Sequence, residues 1–494
     1  MSDCNTMPQR APNILFILSD QHRWSALGCY GNEQVVSPSF DRLAAEGTRF
    51  TNCLSSCPVC APFRATMQTG LHAHQHGVRA NQTPWLGQHF RGLADYFNEA
   101  GYETCFIGKA HWGRYLFYDT PWIGGYVPPS RRLRWKHWYT MHGHDQYDSR
   151  IYDDHGAVIR DFEDQYQPTV QTDLAMEKIR EFGETPWFVQ LNWGPPHTVA
   201  GKVARSGREL VDICRRVNRE YGFHFDESMF DDDDPERKLK LLLPQHLIYD
   251  PIMPATYLDR YDVDTLDVEP NVPERFRKLV SYHLKEYYGM ITSLDDELAR
   301  LMTFLAETGR DRDTLVVYTS DHGDRIGAHC SLLKFRTKST WHQNSCRVPL
   351  IVWGPGVGVA CGVVNDTPIG STDFMPTFLK IAGLPVDPHL PGESFADCFT
   401  GDCATRDRDL LLSLDPWRAI FDGRYLYAIN GLDDSWEPIS LIDTQNDRYD
   451  LNNLLDDPAH GGIRERLHVA LVAELIRTCD HEFLLRTHLK ERHL

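Results

Sequence analysis

The chain has 494 residues, 41 % of them hydrophobic, with 51 Lys and Arg against 69 Asp and Glu and a formal net charge of −18. That length supports a large core in one big domain with a smaller companion, or in two to three domains. The acidic balance argues against a nucleic acid or an anionic membrane surface as the main partner, so an anionic substrate would need a locally positive site.

Residues 1–10 are polar, and the apolar run from Ile14 to Leu18 is too brief for a secretion signal or a membrane span, which reads as cytoplasmic. Thirteen cysteines without regular spacing fit a reducing compartment, most of them as small core residues. Residues 13–18 predict a fully buried strand ending at Ser19-Asp20-Gln21, and Ser37 to Gly47 predicts a helix through Phe40, Leu43 and Ala44. Strand, loop and helix in that order suggest a mostly parallel sheet with ligands at the carboxyl ends of its strands. Apolar runs at 104–108, 187–191, 314–319 and 348–353 repeat the grammar, and helical periodicity runs from Phe276 to Thr308. The stretches 112–173 and 198–270 lack a clear period and read as insertions around the rim of a site, the second holding the acidic run Asp231 to Asp234, a solvated loop rather than a calcium site. After about residue 404 the texture changes to short strands at 408–414, 417–422, 424–430 and 439–443, with an Asp422-Gly423 hairpin signal, then a helical stretch from Ile463. The expected organisation is a large α/β domain over 11–403 and a small α+β domain over 404–494.

Cys60-Ala61-Pro62-Phe63-Arg64, closed by Thr69-Gly70, carries the most specific chemical signal. A redox or zinc reading of Cys57 and Cys60 competes with it. Asp20 and the segment Ser320-Asp321-His322-Gly323 both follow predicted strands, so a single ion could be shared between them, and hard oxygens with one imidazole suit Ca²⁺, Mg²⁺ or Mn²⁺.

With Gly108-Lys109-Ala110-His111, Pro195-Pro196-His197, the spacing from His329 to Lys334 and Arg347-Val348-Pro349-Leu350, these motifs make the chain resemble the type I sulfatases of the alkaline phosphatase superfamily over nearly its whole length. Gln21 and His322 place it in an Asp-Gln/Asp-His subgroup related to phosphonate monoester hydrolases and choline sulfatases. The resemblance implies an α/β fold with a large, mostly parallel, helix-flanked sheet and a smaller C-terminal α+β domain, and hydrolysis of a sulfate monoester. It implies that a formylglycine-generating enzyme converts Cys60 to formylglycine. The hydrate would offer one hydroxyl to attack sulfur and a second to expel sulfate. It further implies that Asp20, Gln21, Cys60, Asp321 and His322 surround one divalent cation, Ca²⁺ first and Mn²⁺ or Mg²⁺ as alternatives. Arg64, one helical turn after Cys60, would place its guanidinium beside the hydrate oxygens and stabilise charge on the sulfuryl oxygens. Lys109 would bind sulfate oxygens, His111 would act as base, His197 and Lys334 would face the departing oxygen, and Asn81 would contact substrate. Spacing favours Lys334 over Lys338. The expected substrate is a small-molecule or saccharide sulfate ester, and a homo-oligomer stays open. Two rivals stand beside this reading: a phosphonate monoester or phosphodiester hydrolase on the same scaffold, against which Lys109 and His111 speak, and a non-catalytic binder of sulfated ligands. The Trp, Tyr and Arg residues between Trp112 and Tyr139 could line a substrate subsite or pack the core.

Overall fold

The computed structural model describes residues 11–81, 83, 85, 87–112, 127–141, 147–197, 215, 216, 218, 219, 244, 246, 252–329, 338–401, 408–431 and 436–483. The acidic run at 231–234 lies outside them, as do Tyr115, Trp122 and Lys334.

An eight-stranded sheet organises the chain. Its strands lie in the order Val363–Asn365, Thr48–Phe50, Leu350–Trp353, Thr314–Ser320, Asn13–Asp20, Trp187–Pro196, Glu103–Gly108 and His137–Thr140. The five from Thr314–Ser320 to His137–Thr140 run parallel, while Leu350–Trp353 runs against both its neighbours. Asn13–Asp20 sits near the centre with all eight residues buried, which is why it reads as an unbroken apolar run.

Side chains of that strand alternate between two cores. Leu15 and Ile17 join Val316 and Tyr318 under the long helix Arg277–Glu307, whose Leu284, Ile291, Leu294, Leu298, Leu301 and Leu305 form one buried stripe. Ile14, Phe16 and Leu18 face the other way, onto Phe63 and Met67 of the helix Cys60–Thr69 and onto Phe374 and Phe378. Asp295 of the long helix accepts hydrogen bonds from the Ser39 and Phe40 backbone N–H groups, so the short helix Pro38–Ala45 is capped from a neighbour rather than by Ser37.

Toward the C-terminus, four antiparallel strands, Leu410–Leu414, Trp417–Phe421, Tyr425–Asn430 and Glu437–Asp443, form a separate small sheet. One face packs on Leu54, Cys57, Val59, Ala73 and Cys346, next to the Cys60 helix. The other takes Leu467, Leu471 and Leu475 of the helix Gly461–Arg477. The expected boundary at 404 falls among residues outside those described. Cys57 belongs to the apolar cluster and burial pushes its thiol up, which leaves it no part in a redox pair with Cys60. Cys398 is disulfide-bonded, an exception to the reading of the cysteines as free core residues. No helix among the described residues is long and apolar enough to cross a membrane. Trp112, Trp135 and Trp138 pack around Phe106 in the second core, with ring centroids 5.4, 5.4 and 4.6 Å away, so of the two readings offered for these aromatics they follow core packing.

Gly108 ends its strand at φ +93°, and a Cβ there would lie 2.1 Å from the Asn192 carbonyl oxygen. Gly77 has a similar φ of +79° in open space. Gly108→Ala is therefore expected to cost at least about 2 kcal/mol, against about 1 kcal/mol for Gly77→Ala. Thermal and denaturant unfolding of the two variants checks the order; equal losses would remove the steric argument.

Candidate active site

Four strand ends and one helix N-terminus converge at the carboxyl edge of the sheet. Asp20 closes Asn13–Asp20, Asp321 and His322 directly follow Thr314–Ser320, Lys109 follows Glu103–Gly108 and His197 follows Trp187–Pro196. Cys60 is the first residue of its helix, two positions ahead of Pro62, which sits in the first turn where a missing N–H costs nothing. Val59 gives no side-chain cap; Asn81 supplies one, its Oδ1 accepting the Ala61 N–H at 3.0 Å. Asn81, expected at the substrate mouth, thus holds the first turn of the Cys60 helix.

Ligand atoms of Asp20, Cys60, Asp321 and His322 all lie within 4.8 Å of one another, in buried residues. Two of these are carboxylates, set against Arg64, Lys109 and Lys338. Burial works to raise the Asp20 carboxyl, but Lys109, Arg64 and Lys338 outweigh it and hold it well below the usual range. Asp321 goes the other way, raised by burial and by the charge of Asp20. A divalent cation seated among these atoms would relieve the repulsion between the two carboxylates. The imidazole is placed for it as well: His322 Nδ1 donates to the Gly323 carbonyl oxygen at 2.9 Å and Nε2 faces the cluster, 3.2 Å from Cys60 Sγ. Burial acts to lower its pKa but Asp321 and Cys60 raise it, so an ion bound there would take the place of a proton on Nε2. Asp321 Oδ1 also accepts the backbone N–H groups of Gln21 and His322 at 3.0 and 2.9 Å. The donor set of two carboxylates, an imidazole and residue 60 suits one hard or borderline divalent ion.

Arg64 spends every N–H on this frame. Nε and Nη2 donate to Asp321 Oδ2 at 3.2 and 2.9 Å, Nη2 to Asp20 Oδ2 at 3.1 Å, and Nη1 to the Lys109 carbonyl at 2.6 Å and to Asn192 Oδ1 at 3.3 Å. These five bonds use all five guanidinium donors. Arg64 therefore acts as a brace between the carboxylates and the Lys109 turn, with no N–H left over for substrate oxygens.

Cations and imidazoles surround residue 60. Lys109 Nζ donates to Asp20 Oδ2 and lies 3.8 Å from Cys60 Sγ. His111 is hydrogen-bonded to Cys60. It gets there from a left-handed backbone, φ +61°. His197 lies within the field of Lys338, Asp20, Lys109 and Cys60. Lys338 Nζ lies 3.1 Å from Cys60 Sγ and 2.9 Å from Gln21 Oε1. Spacing had favoured Lys334, which lies outside the described residues; among those described, the lysine brought to Cys60 from this part of the chain is Lys338. Gln21, expected around the cation, gives its oxygen to Lys338 and its Nε2 to Asp324 Oδ2 at 2.6 Å. Burial and Asp20 act to raise the Cys60 thiol, but Lys109, Lys338 and His322 pull it well below its ordinary value, the mark of an anion-stabilising pocket in an acidic chain.

The sulfatase family profile matches residues 12–384. The chain belongs to the sulfatase family. It is a sulfuric ester hydrolase. An ulvan-active sulfatase of Formosa agariphila is 26 % identical over 482 residues, covering 95 % of this chain and 82 % of that protein. A protein solved with its substrate D-glucosamine-2-N,6-O-disulfate shares the fold with a TM-score of 0.70 and 21 % identity, over 95 % of this chain and 99 % of that one. A phosphonate monoester hydrolase from Silicibacter pomeroyi does so with a TM-score of 0.64 and 21 % identity, over 95 and 96 %.

Asn192 and Asp324 belong to no motif, and only the folded site reveals them. For Lys338 the expected outcome is a loss of kcat on the order of 100-fold in Lys338→Ala, with Lys334→Ala remaining near the parent sulfatase. Steady-state kinetics on an aryl sulfate decides it, and the reverse ranking would return the role to Lys334.

Proposed function

We propose that this sulfatase hydrolyses a sulfate monoester carried on a saccharide, with residue 60 acting as formylglycine and Asp20, Asp321 and His322 holding one divalent cation, Ca²⁺ first. The observation that carries the reading is the placement of residue 60 at a helix N-terminus, between the carboxylate pair and the Lys109 and Lys338 ammonium groups. The saccharide part is supported by the relatives named above for ulvan and for a glucosamine disulfate. Hydrated formylglycine would supply one oxygen that bonds to sulfur as the ester oxygen leaves and another whose deprotonation expels sulfate and restores the aldehyde; a cation held by Asp20, Asp321 and His322 would supply Lewis acidity to the reacting oxygens.

The chain's own groups divide the remaining work by protonation state. Burial acts to lower Lys338, but Cys60, Asp20 and Asp321 outweigh it; the two carboxylates stay when residue 60 is formylglycine, and Lys338 can donate from its ammonium to the departing alkoxide. His197 is the opposite: burial and Lys338 hold its imidazole well below the usual value, so it serves as a neutral N–H donor orienting the same oxygen. His111, lowered by burial, is likewise neutral and bonded to residue 60, the condition a base needs to take a proton from the second hydroxyl. Lys109, anchored on Asp20, offers its remaining N–H directions to sulfuryl oxygens.

The phosphonate monoester hydrolase reading shares the fold, and no feature of the site favours it over a sulfate ester. Side-by-side kcat/KM values for sulfated saccharides, 4-nitrophenyl sulfate and a phosphodiester test the proposal on protein produced with a formylglycine-generating enzyme. A sulfated saccharide is expected to lead; a phosphodiester leading by a large factor would overturn the assignment.

A further inference from the structure

Behind Arg64 runs a chain of buried amides that the proposed chemistry does not use. Trp135 Nε1 donates to Gln68 Oε1 at 3.0 Å, Gln68 Nε2 to Gln190 Oε1 at 2.8 Å, and Gln190 Nε2 to Asn192 Oδ1 at 3.0 Å. Arg64 Nη1 donates to the same Asn192 oxygen at 3.3 Å. Gln68 and Asn192 are fully buried and Gln190 nearly so. Three neutral amides in an interior lined by Phe106 and Phe188 cost more to desolvate than apolar side chains of the same size, so a core built for packing alone would not hold them.

The chain has one permitted direction. An indole N–H and a guanidinium can only donate. Trp135 therefore fixes the oxygen of Gln68 toward itself, which turns the Gln68 NH₂ to the Gln190 oxygen and the Gln190 NH₂ to the Asn192 oxygen. At the far end, Asn192 Nδ2 is held by the carbonyls of Ile107 and Gln190 at 2.9 and 3.3 Å. The only group left to meet Arg64 is an oxygen. Ile107 is two residues ahead of Lys109, so Asn192 ties the guanidinium and the lysine turn to one strand.

We propose that Asn192, aimed by the Gln190–Gln68–Trp135 chain, is a positioning residue for catalysis. It sets the guanidinium of Arg64, and through it the carboxylates Asp20 and Asp321 and the backbone of Lys109. The role rests on the sulfatase reading of the site, and turnover of 4-nitrophenyl sulfate by the parent enzyme tests that reading separately.

A double-mutant cycle tests the role itself, on the full chain made with a formylglycine-generating enzyme. Asn192→Leu is expected to lower kcat/KM by about 10-fold to 100-fold in the parent and by less than about twofold in an Arg64→Lys background. Trp135→Phe should show a smaller loss with the same dependence on Arg64, and it carries the cycle if Asn192→Leu fails to fold by circular dichroism. Calorimetric titration of the chelator-stripped chains with Mn²⁺ repeats the cycle without turnover, and weaker binding that vanishes in the Arg64→Lys background is expected. Equal losses in both backgrounds, or no loss in the parent, would overturn the proposal.

Discussion

Two carboxylates that meet in a dry interior set the terms for the rest of this molecule. Asp20 and Asp321 are both fully buried, they lie in one cluster, and the charge of one raises the other. A pair like that persists only if fixed positive charge stands against it. Arg64 and Lys109 are that charge; both are buried, Arg64 with all five donors engaged and Lys109 anchored by one on Asp20. The scaffold explains how such a costly arrangement holds: each group hangs on the end of a buried parallel strand or on the first turns of the Cys60 helix, which packs its Phe63 and Met67 into the core of the large sheet.

Charge placement also divides labour around residue 60. Lys338 is kept protonated by the anions it faces, whereas burial together with nearby cations keeps His197 and His111 neutral. One pocket thereby presents a cationic donor and two uncharged imidazoles at the same pH. The surrounding chain is strongly acidic, so the pocket's positive field is local and confined to a space where water does not screen it.

The sequence revealed what depends on burial or on contiguous motifs. Asn13–Asp20 and Thr314–Ser320 are buried on both faces, so their apolar runs announce them and the ligands at their ends, and the Cys60 to Gly70 segment is one continuous helix with its left-handed stop. Contacts set by loops and by side-chain hydrogen bonds were not legible. Spacing favoured Lys334 over Lys338, four residues further on, but the segment has no periodicity that would aim either side chain, and among the described residues Lys338 is the one beside Cys60. His111 reaches it through a left-handed turn. Gln21 looks like a ligand by position but is engaged by Asp324 and Lys338. Asn192 and Gln190 sit in a strand whose neighbours are apolar, and only their partners disclose a purpose. Trp112, Trp135 and Trp138 show the converse, aromatics beside a site that belong to the core.

The central claim is that Asp20, Asp321, His322 and residue 60 are gathered into one buried cluster because a divalent ion binds among them. Elemental analysis of the purified chain by mass spectrometry, beside Asp321→Ala, tests this most directly. The account predicts a stoichiometric divalent ion in the parent, its loss in the variant, and a fall in both activity and thermal midpoint when the parent is stripped by a chelator. A chain that stays free of metal yet turns over sulfate ester at full rate would contradict it.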